Sequence, residues 1–517
     1  MKSVYCFFTE RKSSDDLFLP FFRISVSLFF LIHFLAVIPD FAALYSREGI
    51  IPADLGELFS HYFVPTLSSF SALLYSWFHL EEATSLSIFQ GLYITCCLTL
   101  LIGFCSRASA ILLFILHTIL ISGAHLYSYG VDMFTTIMMF YCCVFPLGAD
   151  KSIDKHFFYR NREVNPTQYR RLLQIHICLV YWASGLGKIV GYNWWNGEAI
   201  WKALHLPFIH GTDAVSYDVL GEYPLLSLLI GWGTVLIELL YPLFIWKKPW
   251  KNIWLALVIM MHLGIILALN LYFFSTLMII FNLSAFLNLE NKKEDIQAQG
   301  AGDSDAVVRN RRPVFVTWAL VHIVMILFVC VYSVFDDYDA FYHGNKKDYK
   351  RPVALERVQS VLGIPILADY LRFAGIDTGY GFFAPNVASA YVIDFRLMNQ
   401  EGQVVKSQYL PELKSGESVV RFGTLLGNFQ RKLKLMEKGE NKKGLYGRYL
   451  DALVKAMGQS ILKQNQQADV STVKAVLYMY SYPSLKEITL EKREKKLIPL
   501  DSFTVVKKAP LVLNNID

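Results

Sequence analysis

The chain has 517 residues, of which 54% are hydrophobic and only 18% charged, with a formal net charge of +6. Soluble proteins carry about 25% charged residues, so an ordinary soluble composition is excluded for the chain as a whole. A pI near 8.7 invites a nucleic-acid reading, but the basic residues form no single patch; they fall in short loops between apolar segments, so membrane lipid is the expected partner and nucleic acid is not.

In chain order, apolar stretches long enough to be spans occupy 18–38, 87–105, 108–127, 130–147, 170–188, 224–246, 252–270, 272–288 and 314–335. The first is too long for the apolar core of a cleaved leader and reads as a true span. With a cytoplasmic N-terminus, the inner loops hold Lys2, Arg107, Lys151, Lys155, Arg170, Arg171, Lys247, Lys248 and Lys251 among others. The outer loops before the last span then hold only Arg47, Lys188 and Lys202. That asymmetry favours this orientation, and an odd number of spans puts 336–517 outside the cytoplasm.

The expected organisation is an eight-span bundle over 1–290, a cytoplasmic linker over 291–313 rich in Gly, Asp and Ser, a ninth span over 314–335, and a soluble domain over 336–517. Residues 39–86 predict one or two helices at the membrane surface. Residues 189–223 form an outer loop rich in Trp and His, with Trp194, Trp195, Trp201, His205 and His210. In the soluble part, Ala390–Leu397 and Val473–Tyr480 predict strands and Leu445–Lys463 a helix. The predicted fold is thus a polytopic α-helical membrane bundle of about nine transmembrane helices with a C-terminal extracytoplasmic α+β domain. No cysteine lies in 336–517, so that domain has no internal disulfide, and no metal site is predicted.

Ionisable residues inside spans are costly and are candidates for function: Arg23, His33, His117, Asp132, His176, Lys188, Glu238, His262 and His322. Arg23 lies near a helix end and can snorkel. His33, His117, His176 and His322 fit neutral rings bonded to a nearby carbonyl. Asp132 follows Tyr129-Gly130 and fits a helix cap. Glu238 lies roughly 21 Å from the outer end of its span at 1.5 Å per residue, where a carboxylate must be protonated or paired. Lys188 closes its helix after Gly185-Leu186-Gly187, at the outer edge beside the Trp-rich loop. The residues leave it two roles, an interfacial anchor or a desolvated general base. It is not part of a phosphate loop, because Trp182 and Ile189 stand where that motif needs Gly and Ser or Thr.

The stretch LVYWASGLGKIVGYNWWNGEAIW resembles the signature of the HTTM family, the membrane proteins that include the vitamin K-dependent γ-glutamyl carboxylase. The pattern is an aromatic-rich helix closed by Gly and Lys, then Trp-x-x-Gly: here Tyr181, Gly185, Lys188, Trp194 or Trp195, and Gly197. MHLGIILALNLYFFST resembles the carboxylase's His-containing helix pair, with His262 followed by Phe274-Ser275. Glu238 in the preceding span, Gly103 to Arg107, and Asp154 also fit. Gly187 departs from the family, which has a second Lys there.

The resemblance implies an enzyme that uses reduced vitamin K or menaquinol, O2 and CO2 to carboxylate glutamate in an exported peptide or protein. It implies that Lys188 deprotonates the hydroquinone, that oxygenation then yields a strong alkoxide base, and that this base removes the γ-proton. It puts His262 and Glu238 beside Lys188 in the catalytic group, and Tyr181, Trp194, Trp195, Gly197, Asp132 and Asn270 around the cofactor and substrate pocket. Two other functions stay open: a membrane factor for maturation or export of a secreted peptide without carboxylation, and a transporter.

Overall fold

The computed structural model describes residues 2–9, 17–58, 60, 64–160, 164–207, 217, 219–287, 312–344, 349–387, 390–437, 444–465, 469–491 and 496–506. The expected linker lies outside the described residues as far as Arg311, and so does His210.

Apolar segments in a bilayer must satisfy every backbone donor and acceptor internally, and these segments do so as helices. The principal ones are α1 (Phe18–Val37), α2 (Glu82–Ile102), α3 (Ser106–Gly123), α4 (Gly130–Val144), α5 (Thr167–Val190), α6 (Pro224–Phe244), α7 (Lys248–Leu269), α8 (Tyr272–Phe286) and α9 (Arg312–Tyr342). Among the described residues, seven helices are long and apolar enough to cross a membrane, as in a multi-pass membrane protein.

The nine expected segments all become helices, but two fall short. α4 and α8 have 15 residues each, about 22 Å against a hydrocarbon core of about 30 Å. α4 stops where Phe145 turns extended before Pro146, which has no amide to donate; α8 stops at the extended Leu287. Both are mostly buried within the bundle. In the other direction, α9 runs on to Tyr342, past the boundary expected at 336.

Local devices fix the turns. Gly103 (φ +73°) closes α2, and the Asp154 carboxylate caps the start of α3 by accepting from the Cys105 and Ser106 amides, both at 2.7 Å. Arg23 does not snorkel. It is buried and donates to the carbonyls of Leu147 at 3.1 Å and Lys151 at 2.6 Å, holding the turn after α4. Within 39–86, the helix Leu67–Phe78 exposes Tyr75, Trp77 and Phe78, the composition expected of an interfacial helix.

Beyond α9, a four-stranded antiparallel sheet has the order β2-β1-β3-β4, with β1 Ala390–Met398, β2 Val404–Gln408, β3 Thr472–Ser481 and β4 Lys496–Val506. The helices α10 (Gly416–Glu437) and α11 (Leu445–Gln464) pack against it. β1, β3 and α11 coincide with the elements expected from sequence; α10 was not foreseen. The start of α10 is seated on the bundle, where Asp40 accepts from the Lys414 and Ser415 amides at 2.9 Å.

Candidate functional site

Gly185 permits a close helix crossing. A Cβ there would stand 2.8 Å from the Leu239 amide nitrogen, so only a residue without a side chain lets α6 approach α5 this closely. The approach brings Lys188, further along α5, against Glu238. Lys188 Nζ donates to the two carboxylate oxygens at 3.0 and 2.8 Å and to Ser184 Oγ at 2.6 Å. It lies 5.3 Å from the centroid of the Trp194 ring. Both members of the pair are buried, Lys188 at 3% and Glu238 at 6% exposure. Either charge alone would be costly there; together, with Ser184, all three ammonium donors are used.

Lys188 is therefore neither a snorkelling anchor nor at the helix-bundle edge. It is as deep as Glu238, roughly 21 Å along α6 from Pro224. The reason is the path of the chain beyond it. Residues Tyr192–Trp195 and Glu198–Leu204 form two short helices that pack along the first half of α6. Gly197 (φ +83°) makes that packing fit, since a Cβ would sit 3.0 Å from the Leu228 amide nitrogen.

A second polar group stands beside the pair. Tyr181 OH is 2.8 Å from His262 Nε2, and Asn282 Nδ2 donates to Tyr181 OH at 2.7 Å. Asn282 Oδ1 accepts from Tyr241 OH at 2.7 Å.

Lys188, Glu238, His262, Tyr181 and Trp194 line one cavity of about 610 Å³. The other lining is largely apolar and includes Phe274, Phe382 and Phe383. The segment 382–383 is held in place partly by Trp194 Nε1, which donates to the Phe383 carbonyl at 3.2 Å. The lining runs out to Ile230 on α6 and Met260 on α7, 49% and 57% exposed. The surrounding helix faces expose Leu229, Leu236, Leu263 and Leu267, so the opening gives onto an apolar surface.

Four expected pocket residues lie elsewhere. Trp195 is exposed, and its Nε1 donates to the Ile189 carbonyl at 2.8 Å. Gly197 acts through backbone packing, as above. Asn270 (φ +52°) makes the left-handed turn between α7 and α8, where its Oδ1 accepts from Tyr272 OH at 3.1 Å. Asp132 caps α4, accepting from the Tyr129 amide at 2.9 Å, and also pairs with Arg421 of α10 at 2.9 Å. It lines a different cavity, of about 1050 Å³, which Phe382 separates from the first by lining both.

Each of the remaining histidines meets a side chain on another element, where a nearby carbonyl was the expected partner. His176 and His322 both face Tyr141 OH, at 2.5 and 3.2 Å. His33 Nε2 is 3.1 Å from Glu417 Oε1, and His117 Nδ1 is 3.5 Å from Tyr93 OH. Arg421, outside the spans, is also fully buried. Burial alone would lower its pKa, but Asp132, Tyr45 and Glu417 overturn that and hold it well above its ordinary value.

Sequence reasoning missed Ser184, Asn282 and Tyr241. Ser184 was open to discovery, being one helical turn before Lys188 on the same face. Asn282 was open to discovery as an amide in an apolar run. Nothing in the local sequence marks Phe382 and Phe383 as part of a cavity formed by helices more than a hundred residues earlier.

Comparison with known proteins gives no match: no family model, no curated protein and no solved structure is similar to this chain.

Proposed function

We propose that the cavity around Lys188 is the reaction chamber of a quinone-dependent, carboxylase-like membrane enzyme of the HTTM family. It acts on glutamate in an exported peptide or protein. The observation that carries this reading is the Lys188–Glu238 pair, buried with His262 in one apolar cavity open to an apolar surface. The proposed topology has α4 and α8 as short crossings among seven long spans, a cytoplasmic N-terminus and the sheet domain outside. The basic inner loops support it.

The chain's residues fit a reduced naphthoquinone. A volume of about 610 Å³ lies in the usual small-molecule range of about 300–1,000 Å³. Phe274, Phe382 and Trp194 offer faces to a fused aromatic ring. The opening suits a lipid-soluble molecule arriving from the bilayer. When bound, the hydroquinone with O2 supplies the base strength that removal of a carbon-bound proton demands.

The protein's own part is proton handling. All three Nζ donors of Lys188 are engaged, so the ammonium cannot accept a proton as it stands. Passing one proton across the 2.8 Å gap to Glu238 leaves a neutral amine beside a neutral carboxyl group, and no net charge has entered the cavity. Glu238 thus stores the proton that frees Lys188 to act as base. Trp194 and the Phe382–Phe383 segment keep water from the amine.

The test is purified full-length protein given vitamin K hydroquinone or menaquinol, O2, labelled CO2 and a Glu-rich peptide, compared with Lys188→Ala. Epoxide formation with label incorporation, both lost in the variant, is expected. Epoxide without label would retain the quinone chemistry and reject carboxylation. Neither product from folded protein would reject both and favour a maturation factor.

A further inference from the structure

One buried polar atom in the cavity wall stands apart. Among the cavity-lining residues described, His262 Nδ1 is the buried side-chain atom with no hydrogen-bond partner. His262 is only 3% exposed, and an unpartnered polar atom that deep is costly. Such a group calls for a reason.

The network around it fixes which nitrogen carries the proton. Asn282 Nδ2 lies 2.8 Å from the Met278 carbonyl, which can only accept, so this end of the amide is the NH2. Its other hydrogen goes to Tyr181 OH at 2.7 Å. Oδ1 correspondingly accepts from Tyr241 OH at 2.7 Å. With its oxygen taking the Asn282 hydrogen, Tyr181 turns its own hydrogen to His262 Nε2 at 2.8 Å. A nitrogen that accepts there carries no proton. The ring is then neutral, its hydrogen sits on Nδ1, and that N–H has no protein acceptor.

We infer that Asn282 is a positioning residue that sets His262 as an Nδ1–H donor, and that the donor recognises an oxygen on an apolar carbonyl or phenolic ligand in this cavity. The inference rests on the proposed reading of the cavity as a ligand site; it does not require carboxylation. It assigns His262 the part of a donor to oxygen and denies it the part of a base, since Nε2 is occupied and Nδ1 holds the proton. It also gives Met278 and Asn282 control over the chemistry of the site.

The test is nitrogen-15 NMR of full-length protein with labelled histidine, the His262 signal being assigned by its loss in His262→Gln. The wild type is expected to show the Nδ1–H tautomer. Asn282→Asp replaces the donor with an acceptor, so Tyr181 turns its hydrogen to the carboxylate and His262 is expected to switch to Nε2–H. Tyr241→Phe removes a bond from the same amide without touching the donor end, and is expected to keep Nδ1–H. It also controls for general damage, with thermal unfolding checked in each variant. Adding menaquinone-4 is expected to shift the wild-type Nδ1 signal and to bind about tenfold more weakly to Asn282→Asp. A wild-type Nε2–H tautomer, or the same tautomer in wild type and folded Asn282→Asp, would overturn the inference. A tautomer switch without any menaquinone-4 binding to the wild type would leave the relay standing and reject the cavity as a quinone site.

Discussion

Arg421 on α10 holds Asp132 on α4 with two nitrogens, at 2.9 and 3.1 Å, across 289 positions of sequence. Glu417 sits 3.0 Å from the same guanidinium and also accepts from Tyr129 OH at 2.9 Å. One cation thus satisfies two buried carboxylates, and this joins the sheet domain to the bundle. Arg421→Ala leaves both carboxylates without their cation, and the expected loss is about 3–5 kcal/mol of stability. Thermal unfolding followed by Trp fluorescence would measure it, and an unchanged melting temperature would refute this role for the pair.

The Gly185 crossing makes a prediction that separates packing from chemistry. Gly185→Ala puts a Cβ 2.8 Å from backbone, which cannot rotate away, so α5 and α6 must shift. The expected cost is about 1–3 kcal/mol. The same shift pulls Lys188 away from Glu238, so the proposed quinol turnover should fall by more than stability explains. Gly91→Ala on α2, which meets nothing within 4 Å and does not line the cavity, should leave both properties unchanged. Equal behaviour of the two variants in assays of unfolding and epoxidation would refute the crossing as the cause.

The proposed entry of a quinol from the bilayer predicts a binding defect without a chemical one. Met260→Trp places a larger side chain on the exposed rim of the apolar opening, whereas Lys188 and His262 are buried. In the proposed reaction, KM for menaquinol should rise several-fold with kcat little changed. A fall in kcat at constant KM would place the entrance elsewhere.

Glu198, in the short helix beyond Gly197, predicts a pH dependence of stability. Burial raises its pKa above 4.5, and this outweighs the opposing hydrogen bond from the Leu485 amide at 2.8 Å. The folded state therefore holds this proton more tightly than the unfolded state. Its contribution to stability is full below about pH 4.5 and is lost as the pH rises through the folded value. Glu198→Gln should remove that decline. Melting curves of the two proteins between about pH 4.5 and 7 should diverge as the pH rises, the wild type falling relative to the variant. Parallel curves would rule Glu198 out.

The sequence by itself determined the membrane character and most of the helices, because twenty apolar residues in a bilayer have almost no alternative to a helix. It also marked Lys188, Glu238 and His262, since ionisable groups in apolar runs stand out wherever they fold. Tertiary structure alone decided which of these meet. Lys188 and Glu238 share one depth because the short helices after Gly191 run back along α6, and the contact itself depends on the missing side chain at Gly185. Asp132 read equally well as a cap or a pocket residue; its partner Arg421 lies in another domain, and no local pattern reveals a pairing made across that distance. The shortness of α4 and α8 follows from the extended residues Phe145, before Pro146, and Leu287, which hydropathy averages over. Periodicity and composition act within a few helical turns, whereas a cavity is made by side chains that only the packed fold brings together.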